Sequence, residues 1–194
     1  IAISATFVVT LGEIDLSFPS IVGITSLTFG MVLTGTEGNF FLAFLASMSL
    51  GMFAGLINGL LVTKIGIPSI VATIGTLFFW RGLVNVVAQG SGIAIVDVAE
   101  YTWHHTLFVS KVFGYIPAQF IWFLVLTLMM QWIYRYHKFG NHIHFVGDNK
   151  ASAQMMGINV DNVKIIAFVQ LGFFSAFAGM LTMYEMLYFW PTQG

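Results

Sequence analysis

The sequence predicts an all-α, polytopic transmembrane helical bundle with about five to six spans, and three observations predict it. Hydrophobic residues make up 58% of the 194 positions and charged residues 8%, with a mean hydropathy of +0.89, whereas a soluble domain carries about 25% charged residues. The apolar residues fall in runs close to the roughly 20 residues needed to cross about 30 Å of hydrocarbon. The basic residues collect on one side when those runs are counted alternately, as cytoplasmic loops require.

Taken in order, the run 1–11 is expected to be the end of a span, and 16–34 a further, interrupted one, with Gly12-Glu13-Ile14-Asp15 between them. Complete spans are expected at 39–62, 67–88, 116–134 and 163–190. The chain reads as a single transmembrane domain, 1–194, truncated at both ends, with no charged leader or cleavage site to set aside. Lys64, Arg135, Lys138, Lys150 and Lys164 then fall inside, and Lys111 falls outside with Glu37, Asp97 and Glu100. Arg81 lies within a span, 16 residues beyond Ile65 and so roughly 24 Å along a helix. Snorkelling to the outer interface accounts for it. Glu185, 21 residues beyond Lys164, approaches the same surface, although a carboxylate at membrane depth is also a candidate for function.

Several chemistries are excluded. Without cysteine there is no disulfide, thiolate nucleophile or cysteine-held metal. A net charge of −1 provides no basic field for nucleic acid. His104 with His105, and His142 with His144, lack the i, i+4 spacing and the glutamate of a membrane zinc site. No catalytic grouping and no metal site is expected.

The span 39–62 carries Ser47, Gly51, Gly55 and Gly59 at four-residue spacing, a stripe that lets another helix backbone approach where no hydrophobic effect drives association. Gly172, Ser175, Ala176 and Gly179 repeat the pattern more weakly in the last span.

Two segments could carry function. In Gly12-Glu13-Ile14-Asp15-Leu16-Ser17-Phe18-Pro19-Ser20, acids and a proline stand between apolar stretches. Asp15 and Ser17 can accept bonds from free N–H groups at the start of a new helix, with Pro19 in its first turn. The pattern is that of a broken helix, and its residues either cap that helix or touch a substrate or ion. The second segment, about 137–163, is too long and polar for a simple turn. Asn149 is expected to cap a short helix over 150–156 that Gly157 stops, and Asp161 to cap the next span. Exposed Met155 and Met156 on such a helix suit either a docking surface for another protein or contact with lipid.

Three stretches, in order, resemble the permease subunits of bacterial ABC importers for sugars, the ribose/xylose/galactose branch. Gly12 to Ser20 is similar to that family's Gly-Gly-Ile-Asp-Leu-Ser-Val-Gly-Ser signature. Gly55-Leu56-Ile57-Asn58-Gly59 leads into Ile67-Pro68-Ser69-Ile70-Val71-Ala72-Thr73-Ile74-Gly75-Thr76 and on to Arg81-Gly82. Gly147-Asp148-Asn149-Lys150-Ala151-Ser152-Ala153 is followed by Gly157-Ile158-Asn159-Val160, Ala178-Gly179 and Pro191-Thr192-Gln193-Gly194. Departures are Glu13 for a family Gly, Phe18 and Pro19 for Val and Gly, and Asp148 for a Gly.

The resemblance implies that 137–163 docks on a separate ATPase subunit, through Asn149, Ala151, Ala153, Gly157, Ile158 and Asn159. It also implies that Gly12, Ile14, Asp15, Leu16 and Ser17 belong to a discontinuous helix on the translocation path. A second permease copy, as homodimer or heterodimer, and a periplasmic binding protein delivering a monosaccharide or related polyol are further expected partners, with the chain in the bacterial inner membrane among lipid. This chain would bind no cofactor, ATP and Mg lying on the ATPase. Phe78, Phe79, Trp80 and Trp190 could stack on a sugar ring, although aromatic residues at 16% chiefly serve lipid contact and core. The competing reading is an ion-coupled secondary transporter with Glu13, Asp15 and Glu185 as coupling carboxylates.

Overall fold

Helices in lipid gain little by turning apolar side chains inward, so small and polar residues are free to take the interior. The computed structural model, which describes residues 1–112 and 114–193, is built in that way. Ser17, Thr25, Ser47, Asn58, Thr73 and Ser175 have no exposed surface, while Phe41 and Phe78 are 70% exposed and Val86 72%.

Helix α1 (Ala2–Thr10) is followed by a non-helical stretch, 11–17, and by α2 (Phe18–Gly35). Helix α3 (Phe40–Leu60) ends in a π-helical turn (Leu61–Ile65) before α4 (Ser69–Ala88). The connection after α4 forms α5 (Val96–Ala99) and α6 (Trp103–Val109), and then come α7 (Ala118–Tyr136), α8 (Lys138–Asp148), α9 (Lys150–Met155) and α10 (Val160–Met186). Two-residue antiparallel ladders join β1 (Ile93–Ala94) to β4 (Tyr188–Phe189) and β2 (Lys111–Val112) to β3 (Ile116–Pro117).

Among the described residues, four helices are long and apolar enough to cross a membrane: α2, α3 with its π turn, α4 and α10. Adding α7 to these four gives five of the expected five to six spans, and adding α1 gives six. Helix α7 has 19 residues, but Gln119, Gln131, Arg135 and its aromatic tips dilute the apolar run. The nine residues of α1 cover only roughly 14 Å.

Helix α10 starts three residues before the expected 163, because Asn159 rather than Asp161 caps it, its side chain accepting the Asn162 N–H at 3.0 Å. Asp161 instead meets Lys64 at 2.7 Å. The helix stops at Met186, short of 190, where Leu187 turns left-handed (φ 52°) and the chain joins β1.

The core lies where α10 packs against α3 and α2, with α4 resting on α2. A Cβ on Gly51 would lie 2.5 Å from the Gly172 carbonyl oxygen, and one on Gly59 2.9 Å from Ile165 Cα. The Gly55 position abuts the Phe168 carbonyl. Ser47, by contrast, turns to α2 and donates to the Thr25 carbonyl at 3.0 Å. Gly179 also faces α2, with the Val22 carbonyl 2.7 Å from where its Cβ would be.

Lys64, Lys150, Lys164, Glu13 and Asp161 gather at one end of the bundle. At the other, Arg81 donates to the Thr192 carbonyl at 3.1 Å and Gln119 to Glu185 at 2.7 Å. Both agree with the sidedness read from the basic residues. Gly194, the last residue of the third resembling stretch, lies outside the described residues.

Candidate functional site

Interrupting a helix inside a membrane frees backbone N–H and C=O groups that lipid cannot satisfy. Between α1 and α2 the chain turns at Gly12 (φ 75°), a conformation open to glycine at no steric cost. Ile14 N–H then donates to Ser69 Oγ and Leu16 N–H to Thr73 Oγ1, both at 3.1 Å. Ser69, Thr73 and Thr76 follow i, i+4, i+7 spacing, so one face of α4 presents three hydroxyls in a row. Two of the resembling stretches are thus the two halves of one hydrogen-bonded joint.

Asp15 anchors the interior of that joint. Its Oδ1 accepts from Ser17 N–H at 2.7 Å and from Ser17 Oγ at 2.6 Å. Asn58 of α3 donates to Asp15 Oδ2 at 3.1 Å and to Ser17 Oγ at 2.7 Å, while its Oδ1 accepts from Thr76 Oγ1 at 2.7 Å. Every hydrogen-bonding atom of the Asn58 side chain is used. Ser17 occupies the N-cap position of α2 without capping it by its side chain, because its hydroxyl is committed to Asp15. Pro19 stands in the first turn. The network ties three elements together at one depth, and substrate contact is not needed to explain why polar residues are buried there.

Removing one hydroxyl tests the joint. Thr73→Val leaves the Leu16 N–H unpaired, and thermal unfolding of the full-length protein in detergent is expected to show a loss of about 1–3 kcal/mol. Thr73→Ser, which keeps the hydroxyl, should recover most of it.

The segment 137–163 forms a helix pair. Asn149 caps α9 by accepting Ser152 N–H at 3.0 Å, and Gly157 (φ 80°) ends the turn that leads into α10. Ala151 and Asn159 are exposed and Ile158 is half-buried. Met155 is 82% exposed and Met156 55%. Ala153, expected on the docking face, points the other way. It is wholly buried with Ile143, Val146, Val160 and Val163, because residues 151 and 155 share one side of a helix and 153 lies nearly opposite. A bulky residue at 153 would therefore disturb packing before it touched a partner.

Glu13 lies between this segment and the joint. Its carboxylate pairs with Lys164 of α10, both side chains being about nine-tenths buried, and Lys150 Nζ stands 3.8 Å from the same oxygen. The Lys164 amine beside it holds Lys150 below the ordinary lysine range, burial adds to this, and Glu13 acts in the opposite sense. Sequence reasoning missed Lys164, Asn58 and the α4 hydroxyls as partners of the 12–17 segment. The available signals were the hydroxyl spacing on α4 and a lone acid and a lone lysine at the same expected depth.

Of the aromatic residues, Phe78 and Phe79 face outward, Trp190 is half-exposed and Trp80 is buried. No group of three or more His, Asp or Glu residues that could hold a metal occurs among the described residues.

A family model described as the branched-chain amino acid transport system permease component matches residues 1–193. The chain belongs to that family. It is a family of ABC importer permeases, not of enzymes, and it makes this chain a multi-pass protein of the inner membrane. The autoinducer 2 import system permease protein LsrC of Photorhabdus luminescens is 35% identical over 183 residues, 93% of this chain and 53% of that protein. The proteins of the same name from Yersinia pseudotuberculosis and Yersinia pestis are 35% identical over 181 residues, 93% of this chain and 50% of theirs. The chain thus spans about half the length of these curated relatives. No solved structure matches it.

Family membership disfavours the ion-coupled carrier. The carboxylates such a carrier would need are also engaged: Glu13 by Lys164, Asp15 by Ser17 and Asn58, Glu185 by Gln119.

Proposed function

We propose that this chain is the membrane core of the permease subunit of an ABC importer that carries a monosaccharide or related polyol inward. The observation that carries this reading is the α8–α9 segment, whose inner face is locked to the bundle through Ala153 while Met155 and Met156 stand uncovered at the cytoplasmic end. An apolar pair exposed on a capped helix fits a cleft of an ATPase subunit better than water. Asn149, Ala151, Gly157, Ile158 and Asn159 frame that helix and fix its direction. ATP and Mg bind the ATPase, not this chain, and a periplasmic binding protein delivers the solute to the outer face. The sugar-class substrate is supported by the resemblance to sugar-importer permeases and by the autoinducer 2 import role in the names of the relatives. A second permease copy completes the path, and the outward face of α4, where Gly75 and Gly82 meet no neighbour within 4 Å, leaves room for close approach of another helix.

The test uses the full-length permease co-expressed with the ATPase encoded beside it. Met155→Glu is expected to abolish co-purification of the ATPase while leaving membrane insertion intact. In nanodiscs, ATP hydrolysis should rise when the sugar-loaded binding protein is added. Undiminished co-purification of the Met155→Glu protein, or uptake driven by a proton or sodium gradient without any ATPase, overturns the reading.

A further inference from the structure

The helix expected to meet the ATPase and the joint expected to open for substrate share one side chain. Glu13 is one residue past the Gly12 turn and two residues before Asp15, so it is rigidly continuous with the network that binds α3 and α4. Its carboxylate is held by Lys164 in the first turns of α10, and Lys150, the first residue of α9, is 3.8 Å from it on the exposed side. Backbone contact reinforces the connection: a Cβ on Gly147, at the end of α8, would run into the Thr10 carbonyl at the end of α1. The ends of α1 and α8 therefore touch directly, within one helical turn of Glu13 and Lys150.

We propose that Glu13 is a positioning residue for transport, the electrostatic link through which displacement of α9 is passed to the discontinuous segment 11–17. This rests on the reading of α9 as the ATPase-docking element. The Lys164–Glu13 pair fixes the segment to α10 in both states, and Lys150 is the variable partner. When α9 moves, the distance from Lys150 to the carboxylate changes, and with it the balance of two cations competing for one anion. The Glu13 backbone answers that change, and Asp15 follows. Lys150 is more than half exposed whereas Lys164 is buried, so the first can exchange its partner for water and the second cannot without leaving a buried charge.

The experiment uses the full-length permease with its ATPase and binding protein in proteoliposomes, and reads solute transported per ATP hydrolysed. Glu13→Gln and Lys150→Met are each expected to lower that ratio about five-fold or more, the lower end of ordinary coupling between two sites, with the ATPase still co-purifying. The double variant should be no worse than Glu13→Gln alone, because that substitution already removes the interaction that Lys150→Met removes. Lys150→Arg, which keeps the charge, should restore the ratio. An unchanged ratio in Lys150→Met, or losses that add in the double variant, overturns the link. Should Glu13→Gln fail to fold, the pair Lys150→Met and Lys150→Arg still decides the matter, since Lys150 is exposed. Loss of ATPase binding in Met155→Glu together with an unchanged ratio in Lys150→Met removes the link alone. Retained ATPase binding in Met155→Glu removes the docking reading and the link with it.

Discussion

Alanine at Gly55 is expected to destabilise the protein by about 3 kcal/mol, near the upper end for overpacking a tight interior. The added Cβ would fall on the Phe168 carbonyl and 2.9 Å from Val169 Cα, so the obstacle is the α10 backbone, not a side chain that can rotate away. Helices α3 and α10 form the most extensive contact in the bundle, and in lipid such contact depends on close backbone approach, not on escape from water. Gly35→Ala, at the last residue of α2, is the control. Nothing lies within 4 Å of that position, and the helix should tolerate or slightly favour the methyl group. The measurement is the midpoint of thermal unfolding of the full-length protein in detergent, read by size-exclusion chromatography of the fraction that stays monodisperse. Equal midpoints for the two variants would mean that the stripe does not determine how α3 meets α10.

Leucine at Asn58 is expected to be at least as damaging, by about 3 kcal/mol or more, through a different mechanism. The substitution nearly preserves volume but removes the Asn58 bonds of Asp15 Oδ2 and Thr76 Oγ1, leaving Asp15 held by Ser17 alone and Thr76 by the Thr73 carbonyl at 3.3 Å. An unpaired buried group costs about 1–3 kcal/mol, and a charged one more. The exchange Asp15→Asn with Asn58→Asp separates charge from connectivity. The amide at 15 can still accept from Ser17 and donate to the carboxylate at 58, which accepts from Thr76, so part of the lost stability should return. A double exchange as unstable as Asn58→Leu would show that the position of the charge, and not the connection between elements, holds the joint.

Much of the architecture was legible before any coordinates. The helix start at 150 follows from Asn149, whose side chain accepts the N–H three residues on, because a cap is a local device; Asn39 caps the helix at 40 in the same way, which the apolar run alone did not name. The discontinuity at 12–17 was legible for the same reason, since acids and a proline cannot continue a lipid-facing helix. The spacing of Gly51, Gly55 and Gly59 marked a packing face without naming the partner helix. At 159–161 local reading chose the wrong residue, since Asn159 and Asp161 are both competent caps, and in the structure Asn159 caps α10 while Asp161 pairs with Lys64. Ala153 was misplaced because a six-residue helix has no sequence signal for which side faces the bundle.

The sequence by itself determined that the chain lives in a membrane, which charged residues share one end of the bundle, where several of its helices begin and where one of them breaks. These are properties of composition, periodicity and neighbours within a few residues. Only the tertiary structure decided which groups satisfy the break: Asn58 and Thr76 for Asp15, Ser69 and Thr73 for the bare backbone, and Lys164 for Glu13 across 151 residues of chain. Partner choice for buried polar groups depends on depth and facing direction in the assembled bundle, and neither quantity is encoded in any short stretch of sequence.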